Sequence, residues 1–140
     1  MRSGARPLAV VGLENDELQI MNSENKIYEI RKISQFFSIQ IIELVRLFPK
    51  DPASYVVGNQ IIRSATSISA NIVEAQSSLT KKEFIYYLNV AKKEAKETLN
   101  WLEIIEKAKL NKNDISALIE ECNEIISILV ASVKKSQTNS

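Results

Sequence analysis

The chain is 140 residues long, which suits one domain with a core large enough to fold without metals or disulfides. Its 18 Lys and Arg against 17 Asp and Glu give a net charge of +1, so it lacks the basic excess typical of nucleic-acid-binding proteins. Histidine is absent and Cys122 is the single cysteine. This excludes histidine general bases, the Glu-x-x-His ligands of di-iron bundles and a zinc site built on cysteines.

Composition also predicts the fold class and the setting. Only 3 Gly and 3 Pro occur, 45% of the residues are hydrophobic, and long segments with a 3.6-residue period indicate an all-α chain of few, long helices. No apolar run near the N-terminus approaches the ~20 residues of a membrane span. A single cysteine without a signal-like segment favours the reducing cytoplasm. We therefore expect no membrane, metal, cofactor or small-molecule substrate, and no enzymatic activity.

The first helix is predicted to run from Ser23, as its N-cap, to Phe48 before Pro49. Residues 1–22 precede it and show no sustained period, so they are predicted to form a loosely ordered extension. The apolar residues of this helix reach almost all the way round it. Two interpretations stay open: a second contact between subunits, or a deeply central helix.

The second helix carries two stripes at one helical period. The segment PKDPAS ends the first helix, and Ser54 is predicted to cap a helix that reaches about Ser77. One stripe is ordinary core, formed by Ile61, Ala65, Ile68, Ile72 and Ala75. The other carries hydrogen-bonding side chains, namely Gln60, Arg63, Ser67, Asn71 and Glu74. Because Ser and Asn are poor helix formers, this polar stripe is either a buried network or a solvated face.

A capping box, formed by Thr80 and Glu83, predicts the start of the third helix. Its heptad seam consists of Phe84, Leu88, Ala91, Ala95, Thr98, Leu102 and Ile105. Its candidate nucleic-acid-binding residues are Lys81, Lys82, Lys92, Lys93 and Lys96. These lysines either form a basic band or belong to a solvated face in which Lys93 pairs with Glu97 at i,i+4.

The fourth helix follows the turn LNKND, with Asn113 or Asp114 as its cap and its end at Lys134 and Lys135. Cys122 falls on its apolar stripe, which favours a packing role over a reactive thiol. The predicted divisions are therefore an extension 1–22, a four-helix domain 23–135 and a frayed tail 136–140.

One stretch carries a resemblance to a known family. The pattern QIIRSATSISANIVEA, preceded by Phe48-Pro49 and followed by KKEFIYYLNVAKKEAKETLNWLE, resembles bacterial four-helix-bundle proteins encoded in intervening sequences of 23S ribosomal RNA genes. That family includes the accessory variability determinant of diversity-generating retroelements. The resemblance covers roughly 27–133 and implies an antiparallel up-down-up-down bundle, a homopentameric barrel and binding to RNA, DNA or a ribonucleoprotein.

Residue spacing adds one specific contact to this picture. If the second and third helices pair antiparallel about a turn near Ser78, Arg63 lies about as far from the turn as Glu97 does. Arg63 is therefore predicted to pair with Glu97 or with a carboxylate of a neighbouring subunit. Two functions remain open: an oligomer that binds nucleic acid, favoured by the clustered lysines, and a protein-interaction scaffold, favoured by the near-neutral charge.

Overall fold

The computed structural model describes residues 23–138, with side chains described from Ile27 onward. The predicted extension 1–22 and the last two tail positions lie outside the described residues. Four α-helices and no strands occupy the described part, so the all-α prediction is confirmed. The helices are α1 (Ser23–Arg46), α2 (Pro52–Gln76), α3 (Lys81–Ala108) and α4 (Ser116–Thr138).

The four helices enclose one hydrophobic core. Each helix packs against its neighbours in sequence, and α4 also packs against α1. The predicted stripes supply this core, because Phe37, Ile68, Leu102 and Ile125 are all fully buried. Side chains of this size contribute about 1.5–3 kcal/mol each through burial, so the apolar stripes are the main source of stability. None of the helices between residues 23 and 138 is long and apolar enough to cross a membrane.

The α1–α2 connection differs from its prediction in two ways. α1 ends at Arg46 rather than at Phe48, and the Phe48 backbone N–H closes a final turn by donating to the Val45 carbonyl at 3.0 Å. Asp51, not Ser54, is the N-cap of α2. Its carboxylate accepts from the Ser54 N–H at 2.8 Å, which satisfies a backbone donor that no helical carbonyl can reach.

Two close contacts join α1 to α2. The buried Ser38 hydroxyl donates to the Ala65 carbonyl at 3.0 Å. Gly58 is buried against α1, and a Cβ added there would lie 2.8 Å from Val45 Cγ1. Gly58 therefore lets α1 and α2 approach more closely than any other residue would, which explains a glycine inside a helix despite its lower helix propensity.

The start of α3 confirms the predicted capping box in a modified form. The Thr80 hydroxyl accepts from the Glu83 N–H at 3.1 Å, while the Glu83 carboxylate accepts from the N–H of Leu79, one residue before the cap, at 3.3 Å. The helix ends at Lys109 in the left-handed conformation, with φ of 57°. The following Leu110 N–H donates to the Ile105 carbonyl at 3.1 Å and closes the last turn.

α4 starts later and ends later than predicted. Asp114 accepts from the Ser116 N–H at 2.9 Å, and this backbone hydrogen bond lowers the pKa of the Asp114 carboxyl. The helix continues through Thr138, so the tail predicted from 136 is helical to that residue. Cys122 is fully buried, as its place on the apolar stripe predicts, and burial raises the pKa of its thiol to about 12.

Candidate nucleic-acid interface

The predicted lysines of α3 do not all lie on one surface. Lys82, Lys93 and Lys96 are exposed on the side of α3 that faces away from its buried seam. We call these three residues the lysine face. Lys82 and Lys96 are about 21 Å apart along the helix axis at 1.5 Å per residue. The face is therefore long enough to contact several phosphates of one strand.

The two remaining candidates sit differently. Lys92 is only half-exposed, so it lies between the buried seam and the lysine face. Lys81 is exposed at the first position of α3. Neither belongs to the lysine face as defined by orientation, so the five-residue band predicted from the sequence narrows to three residues.

Arg63 of α2 reaches across to α3 and contacts two carboxylates. Its Nη2 pairs with Glu97 Oε2, the partner expected from the antiparallel register. Its Nη1 lies 3.4 Å from Glu94 Oε1, and its Nε donates to Gln60 Oε1 at 3.1 Å. We call Gln60, Arg63, Glu94 and Glu97 the arginine clamp. The Arg63 and Glu97 side chains are 48% and 37% exposed, so the clamp lies at the surface and not in the core.

Trp101 completes the surroundings of Glu97. Its indole Nε1 donates to Glu97 Oε2 at 3.0 Å, the oxygen that Arg63 also contacts. This indole is half-buried beside the core. The contacts of Glu94 and Trp101 were not predicted from the sequence, although both residues stand at helical spacing from Glu97, three before it and four after it.

These contacts correct one expectation about the lysines. The sequence allows Lys93 to pair with Glu97 at i,i+4, but the Glu97 carboxylate instead contacts Arg63 and Trp101 through its Oε2 atom. Among residues 23–138, Lys82, Lys93 and Lys96 take part in no ion pair. The charges of the lysine face are therefore open to solvent and to a ligand.

The rest of the predicted polar stripe is half-exposed and only partly connected. Asn71 donates to the Ser67 carbonyl at 2.8 Å and to its hydroxyl at 3.0 Å. The exposed Glu74 carboxylate forms no hydrogen bond or ion pair with any residue in the described range. The stripe thus fits neither alternative fully: its N-terminal part contacts α3 through Arg63, and its C-terminal end at Glu74 is solvated.

Two polar contacts that the sequence did not reveal lie deeper. The Ser64 and Thr98 hydroxyls, both fully buried, are 2.8 Å apart between α2 and α3. The buried Glu121 carboxylate faces Gln40 of α1, whose amide nitrogen, in the satisfied orientation, donates to both carboxylate oxygens at 2.9 and 3.0 Å. Both contacts satisfy polar groups that would destabilise the core if left unpaired.

The outward face of α2 has a different character. Arg63 and Glu74 are the charged residues of this 25-residue helix. Its exposed positions include Tyr55, Val56 and Ala70, and Tyr55 and Val56 are 58% and 60% exposed. In the described part of the chain no group of three or more Cys, Asp or Glu side chains could hold a metal ion. The described surface thus presents one basic face on α3 and one face with few charges on α2.

Comparison with known proteins places the chain in a family. The sequence profile of the family described as "23S rRNA-intervening sequence protein" matches residues 26–131, which include most of all four helices. The chain belongs to this family. The resemblance noted from the α2 sequence is thereby confirmed, and its extent of roughly 27–133 agrees with the match.

A solved structure supports the same assignment. A crystal structure of a protein with unknown function from the S23 ribosomal protein family of Bacteroides thetaiotaomicron is similar to this family member, with a TM-score of 0.71 and 32% sequence identity. The similarity covers 78% of this chain and 98% of that one. A search of curated proteins found no match.

Proposed function

We propose that this protein is a non-enzymatic homo-oligomer of four-helix bundles that binds nucleic acid, alone or within a ribonucleoprotein, through the lysine face of α3. The observation that carries this proposal is that Lys82, Lys93 and Lys96 are exposed and, within residues 23–138, free of ion pairs. An unpaired lysine can release condensed counterions from a phosphate backbone without first breaking a salt bridge. The single buried thiol of Cys122 suits a protein that works in the reducing cytoplasm.

Within each subunit we propose an up-down-up-down order of helices. In the α1–α2 pair, Ser38 contacts Ala65 and Val45 lies opposite Gly58. Residue numbers thus fall along α2 as they rise along α1, which supports an antiparallel pair. The short connections between the other helices favour antiparallel neighbours in the same way.

The exposed apolar residues of α1 and α2 support the oligomer. Ile39 is 52% exposed, Leu47 is 63% exposed and Val56 is 60% exposed. A second copy covering these side chains would remove their apolar surface from water. A homopentameric ring is the assembly implied by the resemblance to the family.

Light scattering tests the oligomer directly. We expect a mass several times that of the 15.8 kDa chain, and we expect Ile39→Glu with Val56→Glu to reduce it, because a carboxylate in an apolar interface is costly to desolvate. The matched control is Asn100→Glu, which places a carboxylate on the exposed side of α3. A monomer for the unaltered chain at tens of micromolar would overturn the assembly.

Repetition of the lysine face in every subunit offsets its small size. A patch too weak to hold phosphate alone can act multivalently when several copies contact one strand. Binding is therefore expected to show little sequence preference and to weaken steeply with salt, with a log-log slope of about 0.9 per phosphate contact on duplex DNA or about 0.7 on a single strand.

The decisive experiment measures binding of structured RNA, single-stranded RNA and duplex DNA across a salt series. We expect the triple variant Lys82→Gln, Lys93→Gln, Lys96→Gln to bind with a smaller slope than the unaltered oligomer. The control removes three lysines elsewhere, with Lys50→Gln, Lys112→Gln and Lys134→Gln, all at exposed positions. No binding by the intact oligomer at low salt, or an unchanged slope in the first variant, would overturn the proposal.

A protein-interaction scaffold is the second candidate, and the sparsely charged outward face of α2 favours it. A helix with so few charges at its exposed positions suits contact with another protein surface better than contact with phosphate. This candidate gains support if the oligomer forms but binds none of the three nucleic acids.

A further inference from the structure

Arg63 connects the two helices whose outward faces differ most. It is the one cation in the sequence of α2, yet both of its carboxylate partners belong to α3. All three nitrogens of the guanidinium are engaged, with Gln60, Glu94 and Glu97. A planar fork of this kind fixes the direction of its partners far better than a lysine would.

The clamp determines where the Glu97 carboxylate lies. Glu97 is four residues after Lys93, the spacing at which glutamate and lysine normally pair on one helix. Arg63 of α2 and the Trp101 indole of α3 instead contact Glu97 Oε2. With the carboxylate engaged there, the Lys93 ammonium keeps its charge unpaired.

The sum of the charges in the middle of α3 also indicates that Arg63 keeps this region basic. Lys92, Lys93 and Lys96 oppose Glu94 and Glu97 within the middle of α3, which leaves a sum of +1. Adding the Arg63 charge at contact distance from both carboxylates raises the sum to +2. The single Arg63 charge offsets one of the two carboxylate charges, so the field of Glu94 and Glu97 at the neighbouring lysines is weakened.

We infer that Arg63 is a positioning residue for the lysine face, which holds Glu97 away from Lys93 and so keeps that face basic. This inference rests on the proposed function for its consequence in binding. The arginine itself does not contact the nucleic acid. It acts by removing an intramolecular competitor for the lysines.

The test is a mutant cycle measured with single-stranded oligouridylate as the probe, over a range of salt concentrations. Its four proteins are the unaltered chain, Arg63→Gln, the double variant Glu94→Gln with Glu97→Gln, and all three changes together. If Glu97 captures Lys93 in Arg63→Gln, one phosphate contact per engaged subunit is lost. For each engaged subunit the salt slope then falls by about 0.7, and affinity at about 0.1 M salt falls about fivefold.

The cycle separates an indirect role of Arg63 from direct contact. When both glutamates are already replaced, Arg63→Gln is expected to change neither affinity nor slope, because no competitor remains. Equal weakening in both backgrounds would mean that Arg63 itself contacts phosphate, and would overturn the inference. The charge-matched control is Arg46→Gln, at an exposed position on α1, and weakening no greater than this control would also overturn it.

A second readout needs no nucleic acid. A zero-length carbodiimide joins a lysine amine to a carboxylate only when the two are in contact. We expect a Lys93–Glu97 crosslink, detected by mass spectrometry, in Arg63→Gln and not in the unaltered chain. Equal crosslinking in both proteins would overturn the clamp, whereas a positive crosslink without oligouridylate binding would retain the clamp and reject the proposed function.

Discussion

α2 and α3 form the most extensive helix pair in the molecule, yet their outward faces are opposites. The 28-residue α3 contains six lysines and five glutamates, whereas Arg63 and Glu74 are the charged residues of the 25-residue α2. Their inward faces are alike, since each presents a stripe of fully buried aliphatic and small residues. The fold therefore accounts for the inward stripes, but burial in the core does not account for the difference between the outward faces.

The boundary between these two faces lies at the arginine clamp. Arg63 of α2 pairs with the Glu94 and Glu97 carboxylates of α3. The sparsely charged face of α2 and the basic face of α3 therefore depend on the same contact. Four predictions test how far α2 and α3 are alike in the core and different at the surface.

The largest losses of stability are expected in the core, where substitutions in α2 and α3 should have similar effects. Ile68→Ala and Leu102→Ala each remove a fully buried side chain and are expected to lower the free energy of unfolding by about 2–5 kcal/mol. Denaturant titration at fixed protein concentration measures this. The control Val73→Ala, at a position 37% exposed, should cost much less, and equal losses at Val73 and Ile68 would contradict the assigned orientation of α2.

The next effect concerns the close approach of α2 to α1. A side chain at position 58 would meet Val45 Cγ1, so Gly58→Val is expected to destabilise the protein by about 1–3 kcal/mol through overpacking. Val45→Ala in the same chain removes the obstructing methyl groups and should recover part of the loss. A stabilising Gly58→Val would show that the two helices are not in contact there.

The caps of the two helices should again be equivalent. Asp51→Ala and Thr80→Ala each remove a side chain that accepts from a first-turn N–H, at an expected cost of about 1 kcal/mol. Thermal or denaturant unfolding measures both. Ser77→Ala is the control, because its hydroxyl bonds the Val73 carbonyl of its own last turn and its loss should be nearly silent.

The smallest effect lies at the clamp. Arg63→Gln and Glu97→Gln are expected to be coupled by about 0.5–1 kcal/mol, because solvent screens a pair whose side chains are 48% and 37% exposed. A double-mutant cycle in unfolding experiments measures the coupling. The same cycle with the exposed Glu103→Gln should be additive, and additivity for Glu97 as well would remove the pair.

Much of the fold could be predicted from the sequence because its signals are local. The 3.6-residue period identified the buried stripes of all four helices, and Thr80 with Glu83 marked the start of α3. Helix boundaries were predicted less accurately where neighbouring residues can form the same capping hydrogen bond. Asp51 and Ser54 can both cap a helix, and only the path of the chain after Pro49 decided that Asp51 does so.

The candidate interface was predicted less completely. All five lysines could be named, but their division into the lysine face and the flanking Lys81 and Lys92 depends on where the neighbouring helices lie. The degree of burial of the polar stripe depends on the same packing. Half-exposure of Gln60, Ser67 and Asn71 arises at the edge of the α2–α3 contact, which no property of the individual residues specifies.

Glu97 shows most clearly what each level determined. Residue spacing predicted that the Glu97 carboxylate can reach Lys93 on its own helix and, if the neighbouring helix is antiparallel, Arg63. It could not choose between them, since each is a cation at a favourable spacing. Tertiary structure made the choice, because packing α2 against α3 brings one planar guanidinium to two carboxylates together, and a lysine ammonium on the same helix cannot match that bidentate geometry.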